Sequence, residues 1–144
     1  MPHDYLAQND LSRQRLEALV GSLSEADFRR ATPEGWTVAA LLAHLAFWDQ
    51  RILALLRRWE ARGLDDSPVD PDMINDALQA LCLALEPRAA AELCLSSARE
   101  ADAALAGISP ELYEAITAGE VHFRFDRSLH RRDHLEEIAG LLGR

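Results

Sequence analysis

The chain has 144 residues, 49% of them hydrophobic and 27% charged, proportions that suit one globular domain with a core built without disulfides. Its formal net charge of −9 argues against nucleic-acid binding, including regulation through DNA contact, because that rests on clustered Lys and Arg. An anionic membrane surface would repel the chain for the same reason.

Targeting signals are equally sparse. The longest apolar stretch, in VAALLAHLAFW, falls short of the roughly 20 residues a spanning helix needs and contains a histidine. MPHDYLAQND has no apolar signal core behind a basic region, so a cytoplasmic protein is expected. Cys82 and Cys94 form no CxxC and read as buried, reduced thiols.

Leu, Ala, Arg and Glu dominate and β-branched residues are few, which favours helices throughout. Leu6, Leu16, Leu19 and Val20 recur at helical spacing and predict a first helix over about 4–21. SLSEADF reads as a turn with Ser24 capping a short helical piece, and ATPEG breaks the chain before Trp36. Thr37 is a candidate N-cap for a long helix over about 37–62 that stops at Gly63. GLDDSPVDPD is expected to be a loop and the most mobile part of the fold.

Residues 73–84 can form a further helical piece, and Pro87 suits the first turn of a helix running to about Ala106, before Gly107. Ser109-Pro110-Glu111 starts another short helix by the same logic. VHFRFD fits either a short strand or a buried lead-in to the last helix, which Asp126 can cap and which runs to about Leu142. The sum is an all-α, antiparallel four-helix bundle over 1–144 with short extra helices in its connections.

The last helix carries LHRRDHLEEI. At roughly 100° per residue, His130 and His134 lie about 40° apart on one face. Ile138, Leu141 and Leu142 surround that direction, while Arg132, Asp133 and Glu136 point away, so the pair faces inward. The pair alone does not distinguish a metal site from chance, and HRRDH lacks the Glu of a zincin motif.

His44 supplies a third candidate. It shares an apolar face with Leu41, Trp48, Ile52 and Leu55, where a lone histidine is usually a core residue with satisfied ring nitrogens. The interior of a helix bundle is also where helices pool ligands, and three histidines leave coordination positions open on a metal.

GWTVAALLAHLAFWD, followed about eighty residues later by LHRRDHLEEI, resembles the DinB-like metal-binding proteins. That superfamily includes the N-terminal domain of mycothiol-dependent maleylpyruvate isomerase. The resemblance covers nearly the whole chain and implies that His44, His130 and His134 hold a divalent metal, with zinc or nickel the leading ions. It further implies a metal-dependent enzyme, thiol S-transferase-like or hydrolytic, acting on a small molecule. A low-molecular-weight thiol is the cofactor implied for the first case. A homodimer is implied as well. The alternative is a non-catalytic helical bundle that binds a ligand or partner, with a structural metal or none.

Other residues are weighed beside these. Glu137, one turn beyond His134, is a candidate catalytic residue able to hydrogen-bond a ligand or metal-bound water. Asp49 falls within the apolar arc of its helix and needs a partner there, either an Arg from a neighbouring helix or the site itself. Trp36, Trp48 and Trp59 read as core, with Trp48 a possible pocket wall one turn from His44. His3 is expected in solvent, and His122 in a loop or in the core.

Overall fold

Seven α-helices form among residues 4–144, the residues that the computed structural model describes. They are α1 (Asp4–Ser22), α2 (Glu25–Arg29), α3 (Val38–Arg62), α4 (Pro71–Ala84), α5 (Pro87–Ala106), α6 (Pro110–Ala118) and α7 (Ser128–Leu142). No strand forms among the described residues; one isolated bridge joins Ala31 and Thr37. His3 lies outside the described residues.

The helix starts follow from local chemistry. Ser24 and Asp27 make a reciprocal capping box on α2, and Thr37 Oγ1 accepts from Ala40 N at 3.0 Å to open α3. Pro occupies the first turn of α4, α5 and α6, capped in turn by the side chains of Asp70, Glu86 and Ser109. Between α2 and α3, Gly35 adopts φ +88 in a turn closed by its N–H to Thr32 O at 3.0 Å, which delivers Trp36 to the start of α3.

At the entry to the last helix one open reading is decided and one expectation changes. Of its two readings, VHFRFD takes that of the lead-in to α7, with Phe123 and Phe125 packed at tilted angles against Trp59, Tyr5 and Tyr113. Arg127, not Asp126, takes the position before α7, and it makes no side-chain cap. Asp126 acts one residue further out, where its Oδ1 accepts from Ser128 N at 2.8 Å. The 63–70 loop is tethered: Trp59 Nε1 donates to Asp65 O at 2.7 Å, Arg51 to Ser67 O at 2.5 Å, and Arg58 pairs with Asp65.

α3 is the central element and packs against α5, α4, α2 and α7, while α1 lies against α5 and α7. At 25 residues it is long and apolar enough to cross a bilayer by length and composition, which the reading of VAALLAHLAFW alone did not bring out. However, 72% of its most apolar stretch is buried inside the protein, as in a core helix.

The core has two apolar clusters. One gathers Leu16, Phe28, Leu42, Leu45, Cys94, Ala98 and Ile138, and the other Ile52, Leu56, Trp59, Leu105, Leu112 and Ile116. The buried polar residues Asn9, Asp49, Asp102 and Arg131 fall between them along α1, α3, α5 and α7.

Candidate metal centre

α3 and α7 bring three imidazoles to one point. One nitrogen from each of His44, His130 and His134 lies within 4.8 Å of the other two. His44 Nε2 and His130 Nε2 are 3.0 Å apart, and the three ring centroids are separated by 4.8–5.0 Å. The i,i+4 spacing on α7 sets one pair, and the meeting of α7 with α3 sets the third ring.

The donor chemistry suits a divalent ion. Nitrogens bound about 2.0–2.1 Å from a tetrahedral ion lie roughly 3.3 Å from one another. The observed separations, from 3.0 Å up to a limit of 4.8 Å, bracket that value. Burial, followed by the nearby His134 ring, pushes His44 down to about 4. Burial also leads for His130, and the His134 and His44 rings with the Arg127 and Arg124 guanidiniums bring it down to about 2. Both rings are therefore neutral at pH 7, the state in which imidazole binds metal.

Glu137 fixes the third ring. Its Oε1 lies 2.9 Å from His134 Nδ1, so an N–H at Nδ1 donates to the carboxylate and Nε2 is left with its lone pair free. The sequence placed Glu137 toward the ligand face; the structure gives it a histidine as partner. His44 Nδ1 is buried and has no hydrogen-bond partner among the described residues. Whichever proton arrangement joins His44 and His130, an orphaned ring nitrogen of this kind costs about 1–3 kcal/mol. A satisfied core histidine is thus not what His44 is.

A protein-family model for the DinB superfamily matches residues 8–138, which includes all three histidines. The chain belongs to the DinB superfamily. No curated protein and no solved structure matches it.

Around the histidines of this DinB-superfamily chain the neighbours differ in part from those expected. Trp36, not Trp48, is the indole against His44, edge-on with centroids 5.5 Å apart. Trp48 Nε1 instead donates to Asn75 Oδ1 on α4 at 3.0 Å. His122 is an exposed loop residue 3.9 Å from Asp66 and takes no part in the cluster. Cys82 and Cys94 are free and buried; burial and then Asp49 push the Cys94 thiol up to about 12, which makes it unreactive.

Asp49 finds Arg partners, two of them. Its carboxylate accepts from Arg127 Nε at 2.9 Å and from Arg131 at 3.2 Å. Arg131 also reaches Asp102 with both terminal nitrogens, at 3.0 and 2.8 Å, and Asp102 in turn takes Arg13 at 2.7 Å. Asp49, Asp102, Arg127 and Arg131 are all buried, and the four formal charges cancel. Burial alone would lower the Arg131 pKa, but its bonds to Asp102 and Asp49 outweigh that and raise it.

Asp102 and Arg131 were not singled out from the sequence. The available signal was Arg131 itself: one residue on from an inward histidine, it lies only about 100° round the helix. Asn9 completes the layer, donating to Phe125 O at 2.9 Å and accepting from Arg127 N at 2.7 Å.

Proposed function

We propose that this protein is a divalent-metal-dependent enzyme, thiol S-transferase-like or hydrolytic, built as an antiparallel four-helix bundle of α1, α3, α5 and α7. His44, His130 and His134 are its metal ligands. The observation that carries the reading is the convergence of three nitrogens from two helices within 4.8 Å, with no acidic or thiol side chain in the same group. Three imidazoles leave the bound ion net positive and with open positions, as in a catalytic rather than a structural site.

When bound, such an ion acts as a Lewis acid that lowers the pKa of a thiol or water. The chain's residues do the rest. His44 and His130 arrive neutral, so binding requires no proton release from either. Glu137 acts through His134 as a positioning residue that holds the ring tautomer. The Trp36 ring flanks His44 and walls that side of the site.

Elemental analysis of untagged protein tests the metal, with stoichiometric content expected and its loss on changing His44 to Ala. A screen of electrophiles against several low-molecular-weight thiols, with a parallel screen of hydrolysable esters and amides, then separates the two reactions. We further propose a homodimer, against which a single 16.0 kDa species in sedimentation would stand.

A second reading, a non-catalytic binding module, draws on the clefts. One of about 210 Å³ is lined by Tyr5, Leu105 and Tyr113, and another of about 450 Å³ by Asn9, Arg13, Arg99 and Asp102. Neither includes a histidine of the cluster in its lining. Stoichiometric metal without turnover in either screen, together with a coordinatively saturated ion, would favour that reading.

A further inference from the structure

The buried charge layer lies beside the histidine cluster on the same two helices. Arg131 follows His130 directly on α7, and Asp49 lies five residues beyond His44 on α3. We propose that Arg131 is a positioning residue for the histidine site, locking the rotation and register of α7 against α3 so that His130 and His134 meet His44. This rests on the metal-site reading for its purpose, though not for its geometry.

Three observations support it. First, α7 has few fully buried side chains to fix its rotation. Only Ile138 and Arg131 are fully buried on it, and Leu129 is exposed. Apolar packing by Ile138 and the half-buried Leu135, Leu141 and Leu142 is non-directional, whereas a rotation by one residue, about 100°, would swing both histidines away from His44.

Second, Arg131 is 1% exposed and its guanidinium reaches three other helices at once. It holds Asp49 on α3, Asp102 on α5, and the Asn9 carbonyl on α1 at 3.1 Å. Its buried Nε has no hydrogen-bond partner among the described residues, but a planar fork whose two terminal nitrogens meet that many fixed acceptors has essentially one orientation, and it fixes the helix that carries it.

Third, electroneutrality does not require Arg131. Without it, Asp49 keeps Arg127 at 2.9 Å and Asp102 keeps Arg13 at 2.7 Å, two complete pairs. Arg131 is the one member that joins those pairs into a layer. A buried charge retained beyond what pairing needs points to a specifying role, as single buried polar residues set register in coiled coils.

The test compares wild type with Arg131→Met and Arg131→Lys. The methionine keeps the apolar stem and leaves both ion pairs intact. The lysine keeps the charge, for use should the methionine variant not fold, but a single ammonium cannot span both carboxylates. Two readouts are taken on folded protein: zinc affinity by competition with a chelator, and the ring-to-ring NOE between His44 and His130 in metal-free protein.

We expect zinc affinity to fall by at least tenfold in either variant and the NOE to be weakened or lost. Arg88→Met, which removes the exposed Arg88–Glu25 pair, is the control and should change neither. Variants that melt lower yet keep zinc affinity within about twofold and an unchanged NOE would overturn the proposal, leaving Arg131 a stabilising residue only. Should wild type bind no zinc, the metal reading fails by itself, and the NOE still decides whether Arg131 sets the ring arrangement.

Discussion

His134 Nδ1 and Glu137 Oε1 lie 2.9 Å apart, one turn from each other on α7. The carboxylate therefore selects the tautomer of His134, with the proton on Nδ1 and the free lone pair on Nε2. Changing Glu137 to Gln removes the charge and lets the amide donate, so Nδ1 is no longer held as a donor. We expect metal affinity to fall by about 10–100-fold. Because the Glu137 side chain is itself exposed, the melting temperature of metal-free protein should barely move. Isothermal titration with zinc and a thermal melt check the two halves.

Acid should weaken the metal-free fold before carboxylates begin to titrate. The folded values of His44 and His130 are about 4 and about 2, below the ordinary 6.5. Between those values and 6.5 the unfolded chain takes up protons that the folded chain refuses. Stability is then full above about pH 6.5 and lost as pH falls, by up to about 1.4 kcal/mol per pH unit for each ring. Urea unfolding at pH 7.5, 6.5 and 5.5 measures it. A flat profile over that interval would mean that the rings are freely protonated in the folded state.

Removing Asp102 should be among the most damaging single changes. Asp102→Ala leaves Arg131 short of its bidentate acceptor in a buried layer, and breaking such a pair typically costs about 3–5 kcal/mol. The urea midpoint should fall with an unchanged slope.

Much of the fold was legible because helix ends are written in short local codes. Thr37, Ser24, Ser109 and the prolines at 87 and 110 each start a helix by chemistry that acts within three residues, whereas Pro71, expected in the loop, opens α4 two residues before the expected start. The histidine triad was legible for a different reason: its members sit in two recognisable stretches whose order matches a family. The charge layer was hidden because it depends on distance across helices. Asp102 looks like one more acid in AREADAA, and only the fold shows that Arg13 and Arg131 converge on it. The lead-in at 119–127 was ambiguous because Phe123 and Phe125 alternate like a strand, yet aromatic neighbours and Asn9 hold them, not a second strand.

The loop after α3 offers a test of local order. Trp59→Phe keeps the buried ring but deletes the bond to Asp65 O, a loss of about 1 kcal/mol. The 63–70 segment should be cleaved faster by limited proteolysis, while the rest of the chain resists as before. Equal cleavage rates would show that Arg51 and Arg58 suffice to hold the loop.

The convergence of histidines is tested most directly by cobalt. Untagged protein stripped of metal is titrated with Co(II) and followed by visible absorption. A site with three imidazole donors should saturate at one ion per chain with d–d bands of four- or five-coordinate cobalt. His134→Ala, on the solvent side of the cluster, should remain folded and lose those bands. Absence of binding by wild type, or the same spectrum from His134→Ala, would contradict a site shared by His44, His130 and His134.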